Sequence, residues 1–449
     1  MTSRRPLPKL RPVAINTNPQ IEPEPTGPEP ANSKNGGSLE EKALARLIAN
    51  RRSGYDPFYR FDYEYSIPSP GRYHWQWFWD SCFHVIALAR LNPGMAEAEL
   101  NTLLTPQKDD GFIGHLTYWG RRGAFMSAVY GQSRIGQWRW RHSGMIQPPV
   151  LAHALEELWL QTGDPQLLSK YLQRVRAYYD WLSAERDPGQ TGLIGIVSPY
   201  EAGLDNNPSF DRAMGLSAPG RTGILWANRK LDWYNIVRGK NFDYRTLLKR
   251  DRFIVVDPFM NAVYGDAWAT LARLHEAAGD AAARAGAVQQ AAKTTAGLNE
   301  RCWDAGRGHY TYLIGAGQSP DTTLSVGAIF PLILQDAPDD RVAGVVERYL
   351  TATEHFWRPF PVPSVSASEP SYDAESEKMI WRGPICMNLN WLLARGLKAR
   401  GYLAEARTIA DRSKEAASKD FREFYSPETG RGMRGTEFGW ATAAVAIDA

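Results

Sequence analysis

Paired amphipathic helices recur along most of this 449-residue chain. Residues 147–162 place Leu and Ala side chains on one stripe at helical spacing, and Gly163 follows as a C-cap. Another helix opens with Asp257 as N-cap and Pro258 at its first position, and Asp280 caps the helix after it. Further helical stretches are predicted at residues 80–104, 165–185, 324–352 and 383–418. Strand patterns are few, so the chain is predicted to be all-α.

Two architectures bury repeated helix pairs: an open solenoid and a closed ring of hairpins around a central cavity. A solenoid keeps a short, regular period, whereas the helix pairs here start at uneven intervals. The long loop predicted over residues 186–256 carries tryptophan, tyrosine and charge, and long loops in a compact domain are usually functional. We therefore predict an (α/α)6 toroid, a barrel of six helical hairpins.

The N-terminal segment differs in composition from the rest of the chain. Residues 1–38 contain eight prolines and no aromatic residue, so they cannot bury enough apolar surface to offset the entropy of ordering. A disordered, proline-rich tail over residues 1–38 and one catalytic domain over residues 39–449 are predicted.

Charge and cysteine content limit the choice of partners. The 52 Lys and Arg nearly balance the 49 Asp and Glu, for a net charge of +3, which does not indicate nucleic acid or an anionic membrane as partner. Cys82, Cys302 and Cys386 are widely spaced and lack metal-ligand spacing. No apolar run is long enough to span a membrane. We expect a cytoplasmic protein that acts on a neutral or small ligand without metal or cofactor; the oligomeric state stays open.

Aromatic residues crowd together ahead of an acidic residue near the start of the domain. Sugar sites use aromatic faces against the apolar faces of pyranose rings, with polar groups that hold the hydroxyls. Tyr73, Trp75, Trp77, Phe78 and Trp79 precede Asp80 within eight residues, which is too many for one helix face. Trp77, Trp79 and Asp80 are therefore predicted to bind substrate, with core packing as the alternative for each aromatic residue.

Two further acidic residues suit paired acid–base chemistry. Asp205 lies in a loop shaped by Gly203 and Pro208, among amides and apolar side chains that can raise the pKa of its carboxyl. Glu423 lies between aromatic residues, far away in the sequence. Glycoside hydrolysis needs one carboxyl that protonates the leaving oxygen and a second that activates water. The alternative for Asp205 is a helix-capping role.

The remaining candidates combine aromatic and polar groups. Trp381 and Arg382 form a Trp-Arg pair at a loop-to-helix junction, which suits hydroxyl recognition; a structural arginine paired with a loop carboxylate is the alternative. Gln147 at a helix start is a weaker candidate. Tyr425 and Trp440 lie near Glu423 in the C-terminal aromatic segments and complete the predicted substrate site.

Five segments in a fixed order resemble glycoside hydrolase family 63 and, within it, the bacterial glucosylglycerate and mannosylglycerate hydrolases. They read WQWFWDSCF, IQPPV, EAGLDNNPSFD, IWRGP and FREFY, and the resemblance runs from about Tyr73 to the C-terminus. It implies an (α/α)6 domain that hydrolyses an α-linkage with inversion. It places the general acid at Asp205 and the general base at Glu423.

The same resemblance assigns the sugar-binding positions and leaves the aglycone open. It places Trp79, Asp80, Trp381 and Arg382 in the −1 site and Gln147 at a further polar position. Glu437-Phe438-Gly439 before Trp440 departs from the amides of the glycerate-specific members and is closer to trehalases and processing glucosidases. The substrate is therefore a small α-glucoside or α-mannoside, with a glycerate or a neutral sugar as aglycone. Candidates for holding a glycerate carboxylate are Arg221, Arg229 and Lys230.

Two other classes of protein fit the same toroid. A sugar epimerase or polysaccharide lyase would abstract protons with histidine or tyrosine, which would make His84, His115 and His142 central. A non-catalytic sugar binder or helical-repeat scaffold would need neither carboxyl group.

In an inverting hydrolase, the two carboxyl groups face one cavity at a separation of roughly 6.5 to 9.5 Å.

Overall fold

Helices dominate the part of the chain that the computed structural model describes, which is residues 37–120, 141–217 and 220–448. These helices are α1 (Leu39–Ala49), α2 (Phe78–Leu91), α3 (Pro93–Leu104), α4 (Leu151–Thr162), α5 (Pro165–Arg186), α6 (Arg221–Val237), α7 (Tyr244–Leu248), α8 (Pro258–Ala277), α9 (Ala281–Arg301), α10 (Asp339–Val345), α11 (Met387–Ala399) and α12 (Leu403–Lys419). Among them, none combines the length and apolar character needed to cross a lipid bilayer.

The strands are short and pair antiparallel around the helices. They are β1 (Arg51–Asp56), β2 (Phe61–Ser66), β3 (Gln76–Trp77), β4 (Leu116–Thr117), β5 (Val255–Val256), β6 (Trp303–Asp304), β7 (His309–Tyr310), β8 (Tyr312–Ile314), β9 (Ser319–Asp321), β10 (Arg422–Tyr425) and β11 (Gly432–Thr436). The largest sheet among the described residues has three strands, in the order β5-β8-β9. A mainly helical fold with few strands is therefore confirmed.

Several predicted helix ends are found where the capping residues stand. Gly163 ends α4 in the left-handed region with φ 64°, where glycine carries no side-chain penalty. The Asp257 carboxylate accepts a hydrogen bond from the Phe259 amide at 2.8 Å at the start of α8. Asp280 caps α9 in the same way. Apart from Gly37 and Ser38, the predicted tail lies outside the described residues, and Ser38 itself caps α1.

Some predicted boundaries are wrong for identifiable physical reasons. The stretch 80–104 is two helices, because Asn92 caps α3 and Pro93 occupies its first position. The stretch 383–418 is interrupted after α11 at Gly401, which has φ 85°. The stretch 324–352 is largely short 3₁₀ turns, a brief α10 and one π-helical turn, Val346–Leu350. Residues 186–256, predicted as a loop, contain α6 and α7.

Six segments form an inner layer whose contacts return to their starting point. Helix α2 contacts α4, α4 contacts α8, and α8 contacts the 3₁₀ turn Phe330–Ile333. This turn contacts α11, which packs on the 3₁₀ segment Gly439–Ala446, and that segment packs back on α2. The inner helices are almost completely buried; α2 is buried from Phe78 to Ala89.

A second layer lies outside the first and is partly exposed. Helix α3 packs on α2, α5 on α4, α9 on α8, α12 on α11, and α1 on the 3₁₀ segment Gly439–Ala446. Each outer helix buries only one side; α9, for example, buries Ala287, Ala291 and Leu298, as expected of an amphipathic helix. The segments that begin helices α2, α4 and α11 converge at one end of the inner layer, where the candidate site lies.

Glycine at position 396 lets α11 approach a neighbouring turn closely. A Cβ added to Gly396 would lie 2.4 Å from the Ile333 Cβ, whereas a Cβ on Gly286 in α9 would lie 3.8 Å from its nearest neighbour. We expect Gly396→Ala to lower the free energy of unfolding by about 1 to 3 kcal/mol. Gly286→Ala, the matched control, should raise it by roughly 0.5 to 1 kcal/mol, because alanine has the higher helix propensity. Thermal unfolding of both variants checks the prediction, and equal melting temperatures would contradict it.

Candidate active site

A cavity of about 230 Å³ opens where the inner segments converge, and it brings together residues from distant parts of the sequence. Eight of the ten predicted site residues line it. They are Trp77, Trp79, Asp80, Gln147, Asp205, Trp381, Glu423 and Trp440. Carboxyl groups and indole rings therefore share one enclosed space.

Asp205 reaches this cavity from a tightly folded loop. The 3₁₀ turn Pro199–Ala202 ends at Gly203, whose φ of 68° favours glycine. A Cβ on Gly203 would lie 2.8 Å from the Trp79 ring, so only glycine lets the loop pass so close to that tryptophan. The Asn207 side chain donates hydrogen bonds to the Ser364 and Trp381 carbonyls, both at 3.3 Å. The loop is thus bound to the segment that contains Trp381.

A buried ion pair anchors the start of the same loop. Arg186 donates two hydrogen bonds to the Glu201 carboxylate, at 2.7 and 2.8 Å. The Ile146 and Val197 amides donate to the same carboxylate at 3.1 and 2.8 Å. Because every carboxylate oxygen is satisfied, the buried charge of Glu201 is compensated. Glu201, four residues before Asp205, therefore holds the loop in place.

Glu423 reaches the same cavity from a distant part of the sequence, at an irregularity in the β10–β11 hairpin. Arg422 pairs with Thr436 and Phe424 with Met433, so the register shifts at Glu423. A β-bulge of this kind turns a side chain away from its regular direction. The Trp440 indole donates a hydrogen bond to the Glu423 carbonyl at 3.0 Å, which fixes the backbone beneath the carboxylate.

Two hydrogen-bond donors and two guanidinium groups surround the Glu423 carboxylate, and the sequence had not indicated their role. The Tyr73 hydroxyl donates to Oε1 at 3.1 Å, and the Gly435 amide donates to Oε2 at 3.2 Å. Arg434 Nε lies 3.1 Å from Oε2, and a guanidinium nitrogen of Arg72 lies 3.8 Å from it. These contacts stabilise the ionised form of Glu423. The hairpin register brings Arg434 opposite Glu423, and no local motif reveals that register.

Burial raises the pKa of the cavity carboxyl groups to different extents. Desolvation raises the pKa of Asp205 to about 7, and the charge of Glu423 adds to this rise. Burial also raises the pKa of Asp80 to about 7. The pKa of Glu423 rises through burial as well, but Arg434, Tyr73 and Arg72 oppose that rise. The result is two carboxyl groups, Asp80 and Asp205, that can carry a proton near neutral pH, and a third, Glu423, whose neighbours favour its anion.

Asp80 and Gln147 occupy different positions at the cavity wall. Asp80 lies in the first turn of α2 and is only 3% exposed, whereas Asp205 is partly exposed on a loop. Their pKa values are alike, so position rather than acidity distinguishes the better proton donor.

The Gln147 side-chain oxygen accepts a hydrogen bond from the Trp79 amide at 3.1 Å. Gln147 therefore positions the start of α2 as well as lining the cavity.

Tryptophans form the apolar wall beside these groups. The Trp79 and Trp440 rings meet edge to face with centroids 5.3 Å apart, and Trp381 lies 6.2 Å from Trp79. Phe424 packs edge to face on Trp381 at 4.8 Å. Such rings offer the apolar surface against which a sugar ring can stack.

Arg382 and Tyr425 are predicted substrate-binding residues that do not line the cavity. The Arg382 guanidinium binds both carboxylate oxygens of Asp211, at 2.7 and 2.8 Å, which is the structural alternative considered for it. Tyr425 is fully buried; its hydroxyl accepts from the Arg422 amide and donates to the Asp420 carbonyl, both at 2.9 Å. Both residues support the segments that carry Trp381 and Glu423.

The histidines that a proton-abstracting enzyme would need lie elsewhere. His84 Nδ1 is 3.0 Å from the Glu99 carboxylate, and His142 Nδ1 donates to the Ser143 carbonyl at 2.9 Å. His115 pairs with the Ser143 hydroxyl. Within the described ranges none of the three lines the cavity. Among those residues, no group of three or more His, Cys, Asp or Glu is arranged to hold a metal ion.

A mainly helical fold around a cavity lined by tryptophans and carboxyl groups is typical of a glycoside hydrolase. The model of the mannosylglycerate hydrolase MGH1-like glycoside hydrolase domain matches residues 73–441, and the chain belongs to this family. The match begins at Tyr73 and includes every predicted site residue. The chain is thus an enzyme that acts on glycosidic bonds, in agreement with the family 63 resemblance.

Curated relatives and solved structures agree with this family. The chain is 28% identical to mannosylglycerate hydrolase from Thermus thermophilus, over 84% of this chain and 95% of the relative. It is 25% identical to glucosylglycerate hydrolase from Mycolicibacterium hassiacum, over 84% of this chain and 92% of the relative. The structure of family 63 mannosylglycerate hydrolase from Thermus thermophilus in complex with Tris and D-glycerate matches with a TM-score of 0.78 and 26% identity, covering 91% of this chain and 99% of that chain.

Removing the Arg434 charge should shift the pH dependence of catalysis. Arg434 lowers the pKa of both Glu423 and Asp205, so Arg434→Gln should raise both values. An enzyme that needs ionised Glu423 and protonated Asp205 then has both limbs of its kcat/KM profile at higher pH, by about one unit. The matched control Arg431→Gln removes an exposed arginine of the same hairpin that pairs with Glu375 and should leave the profile in place. A uniform loss of activity without a shift would show that Arg434 has only a packing role.

Proposed function

We propose that this enzyme hydrolyses a small α-glucoside or α-mannoside with inversion, with Asp205 as general acid and Glu423 as general base. The proposal rests on two carboxyl groups that line the same cavity and have different surroundings. Burial raises the pKa of Asp205 to about 7, so a large fraction is protonated near neutral pH. Glu423 is contacted by Tyr73 and Arg434, which favour its anion.

The proposed reaction follows from the roles of the two groups. A water molecule bonds to the anomeric carbon while the bond from that carbon to the glycosidic oxygen breaks. Asp205 gives its proton to the departing oxygen, and Glu423 takes a proton from the attacking water. Because water attacks the ring face opposite the leaving group, the released sugar has inverted configuration. Trp79, Trp381 and Trp440 provide the apolar wall for its ring.

We propose glycerate as the aglycone. The named relatives act on mannosylglycerate and glucosylglycerate, and the matched Thermus structure contains D-glycerate. A glycerate carboxylate needs a cation at the cavity mouth. Leu225 of α6 lines the cavity, and Arg221 and Arg229 lie one turn before and after it on the same helix face. These two arginines are the best placed of the candidates from the sequence.

A neutral aglycone is the second candidate, and one observation favours it. Phe438 lines the cavity with its ring centroid 4.6 Å from that of Trp440 and 5.7 Å from that of Tyr73. An apolar ring at this point suits the apolar face of a second sugar unit better than a charged glycerate carboxylate. Glu437 does not compete for the site, because its carboxylate pairs with Arg46 at 2.7 Å.

We further propose the cytoplasm as the compartment, because Cys82, Cys302 and Cys386 are free, buried thiols. We also propose the (α/α)6 toroid as the detailed architecture. The contacts from α2 through α4, α8, the turn Phe330–Ile333, α11 and the segment Gly439–Ala446 back to α2 support a closed ring. The outer helices packed against most of these segments support the hairpin pairing.

Leaving-group dependence separates the two catalytic roles. Asp205→Asn and Glu423→Gln should each lower kcat on an α-glycoside with an alcohol leaving group by roughly 10² to 10⁴. An α-glycosyl fluoride needs little protonation of its leaving group, so Asp205→Asn should keep most of its fluoride activity while Glu423→Gln loses it. Steady-state rates on both substrates check this. Equal losses of fluoride activity in the two variants would contradict the assignment.

A further inference from the structure

Residues 221–252, here called the basic segment, concentrate positive charge far beyond the average for this chain. The segment has nine Lys and Arg against three acidic residues, a net charge of +6, whereas the whole chain carries +3. All nine cationic side chains are exposed. They are Arg221, Arg229, Lys230, Arg238, Lys240, Arg245, Lys249, Arg250 and Arg252. The rest of the chain therefore has a net charge of −3.

Little of this charge is neutralised locally. Arg245 pairs with Glu185 at 3.5 Å, and within the described ranges no ion pair joins the other eight cations to a carboxylate. The segment's three acids offset the positive charge only in part. Asp232 is buried against Ser198, and burial raises its pKa to about 8, so it is largely uncharged near neutral pH. Asp251 accepts a hydrogen bond from the Ala316 amide at 2.6 Å, and Asp243 accepts one from the Thr246 amide at 2.8 Å.

The basic segment begins at the mouth of the catalytic cavity. Leu225 lines that cavity, with Arg221 and Arg229 one turn away on either side. Tyr200, another lining residue, is affected by the charge of Arg229, which lowers its pKa against a larger rise from burial. The exposed cations thus continue outward from the cavity edge along α6 and α7.

The interior of the cavity has the opposite character. Its carboxyl groups, Asp80, Asp205 and Glu423, face the sugar position, and Arg434 is engaged with Glu423. An anionic ligand gains nothing from the interior carboxyl groups, so attraction must come from outside. Unpaired surface cations create a field that extends about 10 Å at 0.1 M salt and raise the local concentration of anions.

We infer that the basic segment attracts anionic glycosides to the cavity and thereby favours them over neutral glycosides of the same shape. The inference rests on the proposed function, because it concerns the aglycone of that reaction. It adds a role for cations that are too far along the segment to touch the substrate. A cavity of about 230 Å³ at the start of the segment points to a small ligand rather than a polyanion.

A matched pair of substrates tests the inference: α-glucosylglycerate and α-glucosylglycerol, which differ only in the carboxylate. For the wild-type enzyme, kcat/KM on glucosylglycerate should fall on the order of tenfold between about 10 mM and 0.5 M salt, with kcat nearly constant. On glucosylglycerol it should stay level. The triple variant Arg238→Gln, Lys240→Gln, Lys249→Gln should lose several-fold in kcat/KM on glucosylglycerate at low salt only, with glucosylglycerol hydrolysis unchanged.

The control variant removes three exposed cations outside the basic segment: Lys42→Gln, Lys398→Gln and Arg407→Gln. It changes the net charge equally and should behave as wild type. Equal salt dependence for both substrates, or equal effects of the two triple variants, would overturn the inference while leaving the proposed hydrolysis intact. Failure of the wild-type enzyme to hydrolyse these two glucosides and the corresponding α-mannosides would refute the proposed function and the inference with it. Unchanged glucosylglycerol hydrolysis confirms that each variant is folded.

Discussion

Desolvation of carboxyl groups in an aromatic cavity is the physical effect on which this site depends. Asp80, Asp205 and Glu423 share a space of about 230 Å³ with several tryptophans, and burial raises the pKa of each. A buried carboxyl group must either keep its proton or be stabilised by donors. Asp205 has no ion-pair partner within the described ranges, and Glu423 has Arg434 at 3.1 Å. The protein thus gives two like groups opposite tendencies.

The surrounding structure maintains this difference between Asp205 and Glu423. On one side, the buried pair of Arg186 and Glu201 fixes the loop that presents Asp205, and Gly203 lets the loop lie against Trp79. On the other side, the bulge in the β10–β11 hairpin turns Glu423 toward the cavity. Neither device contacts a substrate. Both act by holding the carboxyl groups where their environments differ.

Local sequence signals predicted local structure well and long-range pairing poorly. The N-cap role of Asp257 could be predicted, because an Asp-Pro pair followed by apolar residues at helical spacing commonly marks the start of a helix. The ion pair of Arg382 with Asp211 could not be predicted, because an arginine that binds a sugar and one that binds a carboxylate look alike in a sequence. The contact between Arg434 and Glu423 could not be predicted either, because it depends on the register of a bulged hairpin. The amino-acid sequence of the hairpin does not reveal that register. The helix α6 was missed because its exposed tryptophans and cations resemble a functional loop.

In the proposed mechanism, Glu423 activates water and Asp205 protonates the leaving oxygen in a single displacement. Proton NMR of the sugar released in the first minutes, before mutarotation, tests it most directly. From an α-glucoside, β-glucose is expected as the first product, with the α-anomer appearing only as equilibrium is approached. Initial release of α-glucose would mean a double displacement through a covalent intermediate and would contradict the assignment of Glu423 as a base.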